Sequence, residues 1–395
     1  MEPLAITAMS ATSALGRGIA AHLEAIHTGA TGLRANDFSS AALPCWVGRV
    51  AGVEAAPLPP EHVAWECRNN RLAWLGLQQD AMLDAVTRAI TRYGATRVAL
   101  LLGTSTASIG ATEEAYRRLD HGRFPPDLRR PWIHTLHSLA GFVAEAAGIQ
   151  GPALTISTAC SSSAKVFASA ERLIRLGLVD AALVGGVDTL CDSVLFGFHS
   201  LGLVSTRPCR PFDYHRDGIS IGEAAAFALL ERVAAAPASP RLVGYGESSD
   251  AYHMSTPEPG GRGALAALDA ALASAGIDAG AVDYINLHGT ATPKNDEAEA
   301  HLLARFPHRT RASSTKGLTG HTLGAAGTLE AVLALLAIQY AAVPPNTGCD
   351  APMPDAAPWL ALRPESRTIK VALSNSFGFG GNNACLVFAR AASAA

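Results

Sequence analysis

Residues 154–177 and 312–339 run in the same order, each passing from a short apolar run through a tight turn into a helix of small residues. A second pair matches loosely: Gly218-Ile219-Ser220-Ile221-Gly222-Glu223 feeds 224–230, and Gly378-Phe379-Gly380-Gly381-Asn382-Asn383 feeds 384–388. Such repetition marks a duplicated unit. The proline- and alanine-rich break at 234–240 separates the copies, dividing the chain into 1–238 and 239–395.

Apolar or β-branched runs at 98–103, 153–157, 181–185, 224–230, 284–287, 311–314, 371–374 and 384–388 read as strands. Helical stretches lie between them at 69–89, 160–176, 263–274 and 324–339. Alternation of this kind predicts an α/β fold with a largely parallel sheet covered by helices. Helices with small residues on every face fit between two sheets. With 395 residues and 49% hydrophobic content, the chain can bury a large core.

A net charge of −3 supplies no reason to expect a nucleic-acid partner. Seven cysteines are an odd number, and no two are spaced C-x-x-C, which argues against a disulfide scaffold and a zinc ribbon. Met1-Glu2-Pro3-Leu4 lacks the basic start of a signal peptide, and the apolar stretch 331–343 is too short to span a bilayer. No membrane is expected, and the cytoplasm is the expected compartment.

Three short segments carry the chemistry. In Thr158-Ala159-Cys160-Ser161-Ser162-Ser163 the cysteine stands at a strand-to-helix elbow, where the dipole at the helix start favours a nucleophilic thiolate. His288-Gly289-Thr290-Ala291-Thr292-Pro293 puts a histidine at a strand end before a loop of hydroxyls, and His321 lies in a glycine-bounded turn between Lys316 and Gly324. A lone histidine or cysteine is usually structural. One elbow thiol with two imidazoles has the residue types of an acyl-transfer site. Gly378-Phe379-Gly380-Gly381 lacks dinucleotide spacing and no P-loop occurs, so no nucleotide cofactor is expected; such glycines let backbone N–H groups approach an oxyanion.

With Arg210-Pro211-Phe212-Asp213-Tyr214-His215-Arg216-Asp217-Gly218 and Asn375-Ser376-Phe377-Gly378, these segments resemble the β-ketoacyl-acyl-carrier-protein synthases of the Cys-His-His type over nearly the whole chain. The resemblance implies the thiolase fold, a duplicated five-layer α-β-α-β-α architecture. It implies an acyl carrier protein as partner, and a homodimer or a heterodimer with a chain-length-factor-like homologue. No cofactor is implied, because phosphopantetheine arrives on the carrier.

By the same resemblance Cys160 takes the acyl chain, while His288 and His321 bind the malonyl thioester carbonyl and promote decarboxylation. Cys160 and Phe379 supply oxyanion-hole N–H groups, with Phe379 also a gate, and Lys316 with Glu330 organises the electrostatics. Thr290 and Thr292 hold the phosphopantetheine arm, Phe198 and Phe377 line the pocket, and Arg68, Arg71, Arg129 and Arg130 receive the acidic carrier. Asn286, Glu330, Ser374 and Asn375 leave open a monovalent cation; no other metal is expected.

Departures from the family pattern are Asn382 in place of threonine, a short link from Val204-Ser205-Thr206 to Arg210-Pro211, and polar Thr106 where the acyl pocket should end. They point away from a saturated fatty acyl substrate, towards specialised pathways such as aryl polyenes. A non-catalytic chain-length-factor-like subunit would lack Cys160. A true thiolase would lack the second histidine.

Overall fold

Val98–Gly103, with no polar side chain before Gly103, becomes a strand buried along its whole length. The structure, a computed structural model, describes residues 1–39, 41–126 and 131–391. In the first half the main strands are β1 Leu4–Ser13, β2 Val98–Gly103, β3 Ala153–Ile156, β4 Ala181–Asp188 and β5 Ala224–Arg232. In the second they are β6 Arg241–Ser249, β7 Tyr284–Asn286, β8 Arg311–Ser313, β9 Val371–Gly378 and β10 Asn382–Ala389.

Each half repeats one strand order, β1-β5-β4-β2-β3 and β6-β10-β9-β7-β8. Pairing is antiparallel for the first three strands of each series and parallel for the last three. The elbow strands β3 and β8 thus take equivalent places at the two outer ends. The halves join where β1 meets β6, through only two antiparallel residue pairs, Leu4 with Leu242 and Ala5 with Arg241.

Helices α1 Arg68–Leu77, α2 Met82–Tyr93 and α3 Ser138–Ala147 cover the outer face of the first half. Helix α4 Ser162–Arg175 follows the β3 elbow, and α5 Asp192–Ser200 follows β4. On the other side lie α6 Arg262–Ala275 and α7 Pro293–Leu303, with core residues against the second half. Helix α8 Ala326–Tyr340 follows the β8 elbow. Helices α4 and α8 form the middle layer, sharing one apolar cluster with strands of both halves. The layers therefore run helix, sheet, helix, sheet, helix, the five-layer order the resemblance implies.

The middle position explains the composition of α8. Its residues 326–338 are all buried, so every face must be apolar or small. The helical run Leu323–Tyr340 is long and apolar enough to cross a membrane, but here that apolarity is spent between two sheets. At Gly327 an added Cβ would lie 2.4 Å from the Ala164 backbone nitrogen, so the two central helices touch backbone to backbone. Gly327→Ala gains about 1 kcal/mol of helix propensity but costs about 3 by overpacking. A net loss of about 2 kcal/mol is expected from the denaturation midpoint; an unchanged midpoint would rule out the tight crossing.

Three expectations change. The sheet is mixed rather than largely parallel: among the ten named strands five neighbouring pairs are antiparallel and four parallel, because each half carries an antiparallel run, β1-β5-β4 or β6-β10-β9, towards the seam. The strands that join the halves, β1 and β6, did not stand out, because β1 buries Ser10, Thr12 and Ser13 and β6 is only half buried and carries two glycines. The helix expected over 69–89 is broken into α1 and α2. Asp80 and Ala81 take positive φ at the break, and the Asp80 carboxylate accepts the Ile19 N–H there at 3.1 Å.

Candidate active site

Serine and threonine hydroxyls build the elbow that presents Cys160. Ser161 Oγ donates to the Thr158 carbonyl at 2.9 Å, Ser162 Oγ donates to that of Ala159, and Ser162 Oγ accepts the Thr158 N–H at 2.9 Å. These bonds hold Ala159 at φ 54°, a left-handed conformation that alanine rarely adopts. The consequence is a thiol held just ahead of α4, buried at 5% exposure.

His321 arrives from the second half, yet its turn is bonded to the first. Its N–H donates to the Ser220 carbonyl at 2.7 Å, and its carbonyl accepts the Gly222 N–H at 2.9 Å. Its Nε2 lies 3.1 Å from Cys160 Sγ. The Leu323 N–H approaches Nδ1 at 3.3 Å, which makes Nδ1 an acceptor and leaves the proton on Nε2.

His288 stands beyond the end of β7. Glu299 on α7 accepts its N–H at 2.8 Å and that of Gly289 at 2.7 Å. Lys316, 1% exposed, donates to the His288 carbonyl and to Glu330, and its Nζ is 3.4 Å from His288 Nδ1. This ring too therefore keeps its proton on Nε2. The two imidazoles stand nearly perpendicular with centroids 5.4 Å apart.

Burial lowers both histidines well below 6.5, and the Lys316 charge adds to the effect; for His288 its neighbour His321 contributes as well. Both rings are neutral donors near pH 7. Burial also pushes the Cys160 thiol up to about 11, against the pull of Lys316 and the Phe379 N–H. The resting group is thus a thiol rather than the thiolate expected from the helix start alone. Alkylation of Cys160 by iodoacetamide should rise about tenfold per pH unit from 8 to 10; a plateau near pH 8.5 would contradict this.

One cavity of about 400 Å³ is lined by Cys160, His288, His321, Thr290, Thr292, Phe198, Phe377 and Phe379. Thr290 and Thr292 share a 2.8 Å hydroxyl contact, and the Phe198 and Phe379 rings lie 5.6 Å apart at its wall. The ligand atoms of Cys160, His288 and His321 fall within 4.8 Å of one another, a spacing that a metal ion also favours. The Lys316 ammonium against His288 opposes a further cation there.

Other expected residues sit elsewhere. Thr106 does not line this cavity, because both its hydroxyl and its N–H are taken by the buried carboxylate of Asp188. Arg68 is paired with Glu54 and Glu223, and Arg71 with Glu66, so both charges are met inside the chain. Arg129 and Arg130 lie outside the described residues. Asn382 accepts from Lys165 Nζ at 3.3 Å.

Asn286 Oδ1, Glu330 Oε2, Ser374 Oγ and Asn375 Oδ1 are buried without a hydrogen-bond partner among the described residues. Sequence reasoning missed Asp188, Asp296 and Glu299, all buried acids. The signal for the last two was the one-turn spacing of carboxylates on α7.

Comparison with known proteins agrees with this geometry. The family models "Beta-ketoacyl synthase, N-terminal domain" and "Beta-ketoacyl synthase, C-terminal domain" match residues 1–236 and 240–350. The 3-oxoacyl-[acyl-carrier-protein] synthase 2 of Vibrio cholerae is 32% identical over 76% of this chain and 78% of its own. A ketosynthase, ApeO, solved with its chain length factor ApeC from Xenorhabdus doucetiae, is 38% identical and superposes with a TM-score of 0.87 over 99% of this chain and 98% of its own. AntDE:AntF, a type II polyketide synthase acyl-carrier protein in complex with its ketosynthase, matches at 26% identity and a TM-score of 0.88 over 98% and 99%.

Proposed function

The chain belongs to the β-ketoacyl synthase family and joins an acyl-enzyme thioester to malonyl-acyl-carrier protein with loss of carbon dioxide; from that premise we propose the residue roles, the partner and the substrate class. The observation that carries the roles is the 3.1 Å contact of Cys160 Sγ with His321 Nε2 in the cavity that also holds His288 and the Phe379 turn.

In the first half-reaction Cys160 sulfur attacks the acyl thioester carbonyl. The Cys160 and Phe379 N–H groups meet the oxyanion, and the carrier leaves as a thiol with the cysteine's proton. Malonyl-carrier then enters with its thioester oxygen between the two Nε2–H groups. Carbon dioxide departs, and the electron pair of its broken bond becomes an enolate stabilised by both imidazoles. Its carbon attacks the acyl-Cys160 carbonyl, releasing 3-oxoacyl-carrier and a thiolate that water reprotonates.

Neutral rings suit this step. A proton on Nδ1 would remove the acceptor that Lys316 and the Leu323 N–H meet. Intact-mass analysis of Cys160 after incubation with acyl-carrier proteins, together with carbon dioxide release from malonyl-carrier, tests the reading; neither acyl gain nor carbon dioxide would end it.

The four unpartnered oxygens of Asn286, Glu330, Ser374 and Asn375 fit a hard monovalent cation, since no nitrogen or sulfur is among them. Bound there, the ion would offset the negative charge of Glu330 behind His288. The chain's own residues carry every step above.

The partner is a chain-length-factor-like homologue, and the substrate is that of a specialised pathway such as the aryl polyenes rather than a saturated fatty acyl group; Asn382 and the short link from Val204 to Pro211 support this, while Thr106, turned to Asp188, does not. ApeO, solved with such a factor, supports the pairing. Physical support comes from β3, an outer strand paired on one side only, with Leu154 exposed at 43%. Such an edge is a template for a second chain. Thr155→Pro removes an edge donor and should convert a dimer into monomers in mass photometry; a monomeric native protein, alone and with candidate homologues, would contradict the pairing. Seven free, buried cysteines support a reducing cytoplasm.

A further inference from the structure

Asp188 closes strand β4 and is fully buried, yet no cation pairs with it among the described residues. Instead five donors converge on its carboxylate. The Thr104 and Thr106 hydroxyls donate at 2.6 Å each, the Ser105 and Thr106 N–H groups at 3.0 and 2.8 Å, and the Ala325 N–H at 3.1 Å. Thr104 is held in that role, since its oxygen also accepts the Ala107 N–H at 2.9 Å. A carboxylate so fully met ties together three segments distant in sequence.

From two of those segments a second bond reaches a reacting group or the residue directly before one. Ser105 Oγ donates to the Ala159 carbonyl at 3.2 Å, and Ala159 is the strained residue directly before Cys160. Ala325 lies two residues beyond Leu323, another positive-φ residue, whose N–H meets His321 Nδ1. Between them, a Cβ on Gly324 would stand 2.6 Å from the Ser105 nitrogen and 2.8 Å from Asp188 Oδ2, so the segments touch without side chains between them.

We propose that Asp188 and Ser105 are positioning residues for the condensation, a single clamp that sets the Cys160–His321 distance by pinning both strained turns. The proposal rests on the condensing reading above. Its two arms are separable. Ser105→Ala removes only the bond to Ala159, whereas Asp188→Asn presents an NH₂ group where one oxygen stood. The Oδ1 side faces four donors, so the amide nitrogen takes the Oδ2 side and opposes the Ala325 N–H.

The test uses the full-length protein, with iodoacetamide as probe of Cys160 and malonyl-carrier as probe of decarboxylation. Ser105→Ala should slow alkylation of Cys160 about fivefold while decarboxylation stays within twofold, and Ser105→Thr should restore the native rate. Asp188→Asn should lower kcat for decarboxylation about tenfold with KM within twofold. The clamp is overturned if Ser105→Ala alkylates within twofold of native, if Ser105→Thr is as slow as Ser105→Ala, or if Ser105→Ala slows both steps alike. Should Asp188→Asn not fold, the Ser105 pair decides. A native protein that releases no carbon dioxide would sink the condensing reading, while alkylation still reports on the Ser105 arm.

Discussion

Cys160→Ala is expected to lower condensation at least about 10⁴-fold, the scale seen when a covalent nucleophile is removed from an otherwise intact site. No acyl mass should accumulate on the protein. Carbon dioxide release from malonyl-carrier should nevertheless persist within about tenfold, because His288, His321 and the donors on their Nδ1 atoms are untouched. Stability should barely change, since only a sulfur is lost next to a cavity that is already open. Condensation at the native rate would remove Cys160 from the mechanism. Loss of both activities together would mean that the thiol also orders the histidines.

Lys316→Met should damage both the fold and the chemistry. Lys316 and Glu330 are buried as a pair, at 1% and 3% side-chain exposure. Removing one partner of such a pair typically costs 3–5 kcal/mol, because the other charge stays uncompensated. Burial already raises Glu330 to about 7 against the pull of Lys316, so without the lysine it will take up a proton, which limits the loss to about 3 kcal/mol. The catalytic effect comes through His288. Its Nδ1 loses the ammonium donor, and both rings lose the charge that adds to burial in keeping them neutral. A fall of about 100-fold in decarboxylation is expected, about 2.7 kcal/mol of barrier. Glu330→Gln keeps the ammonium and should cost the reaction less. Thermal melts and carbon dioxide release measure both arms, and a Lys316→Met protein that melts and reacts like the native one would refute the role.

The duplication, the inner strands and the reacting trio were legible because each leaves a local trace. A strand buried on both faces reads as an apolar run, and a thiol at an elbow needs small residues around it. The five layers came with the family resemblance, and the small-residue helices read as packing between sheets are α4 and α8, the middle layer. What was not legible depends on contacts between distant segments. Strand β1 hides behind buried hydroxyls, and the break before α2 is held by Asp80 reaching Ile19. The basic face expected at Arg68 and Arg71 is neutralised by acids up to 155 residues away in sequence. Thr106 and Asp188 are 82 residues apart, and nothing in either neighbourhood announces that one will consume the other.

The two equivalent elbows have a consequence for how such a site can exist at all. Strand β3 leads to Cys160, and strand β8 leads through the short helix Lys316–Thr319 to the turn of His321, so the connections that follow two equivalent strands meet across the seam at 3.1 Å. Two identical chains assembled around such an axis would have to place the same side chain on both elbows, thiol facing thiol or imidazole facing imidazole. Joining the copies in a single polypeptide lifts that restriction. Each elbow is free to specialise, and the roles proposed for Cys160 and the two histidines draw on the asymmetry: one copy would hold the electrophile, and the other would generate the carbon nucleophile.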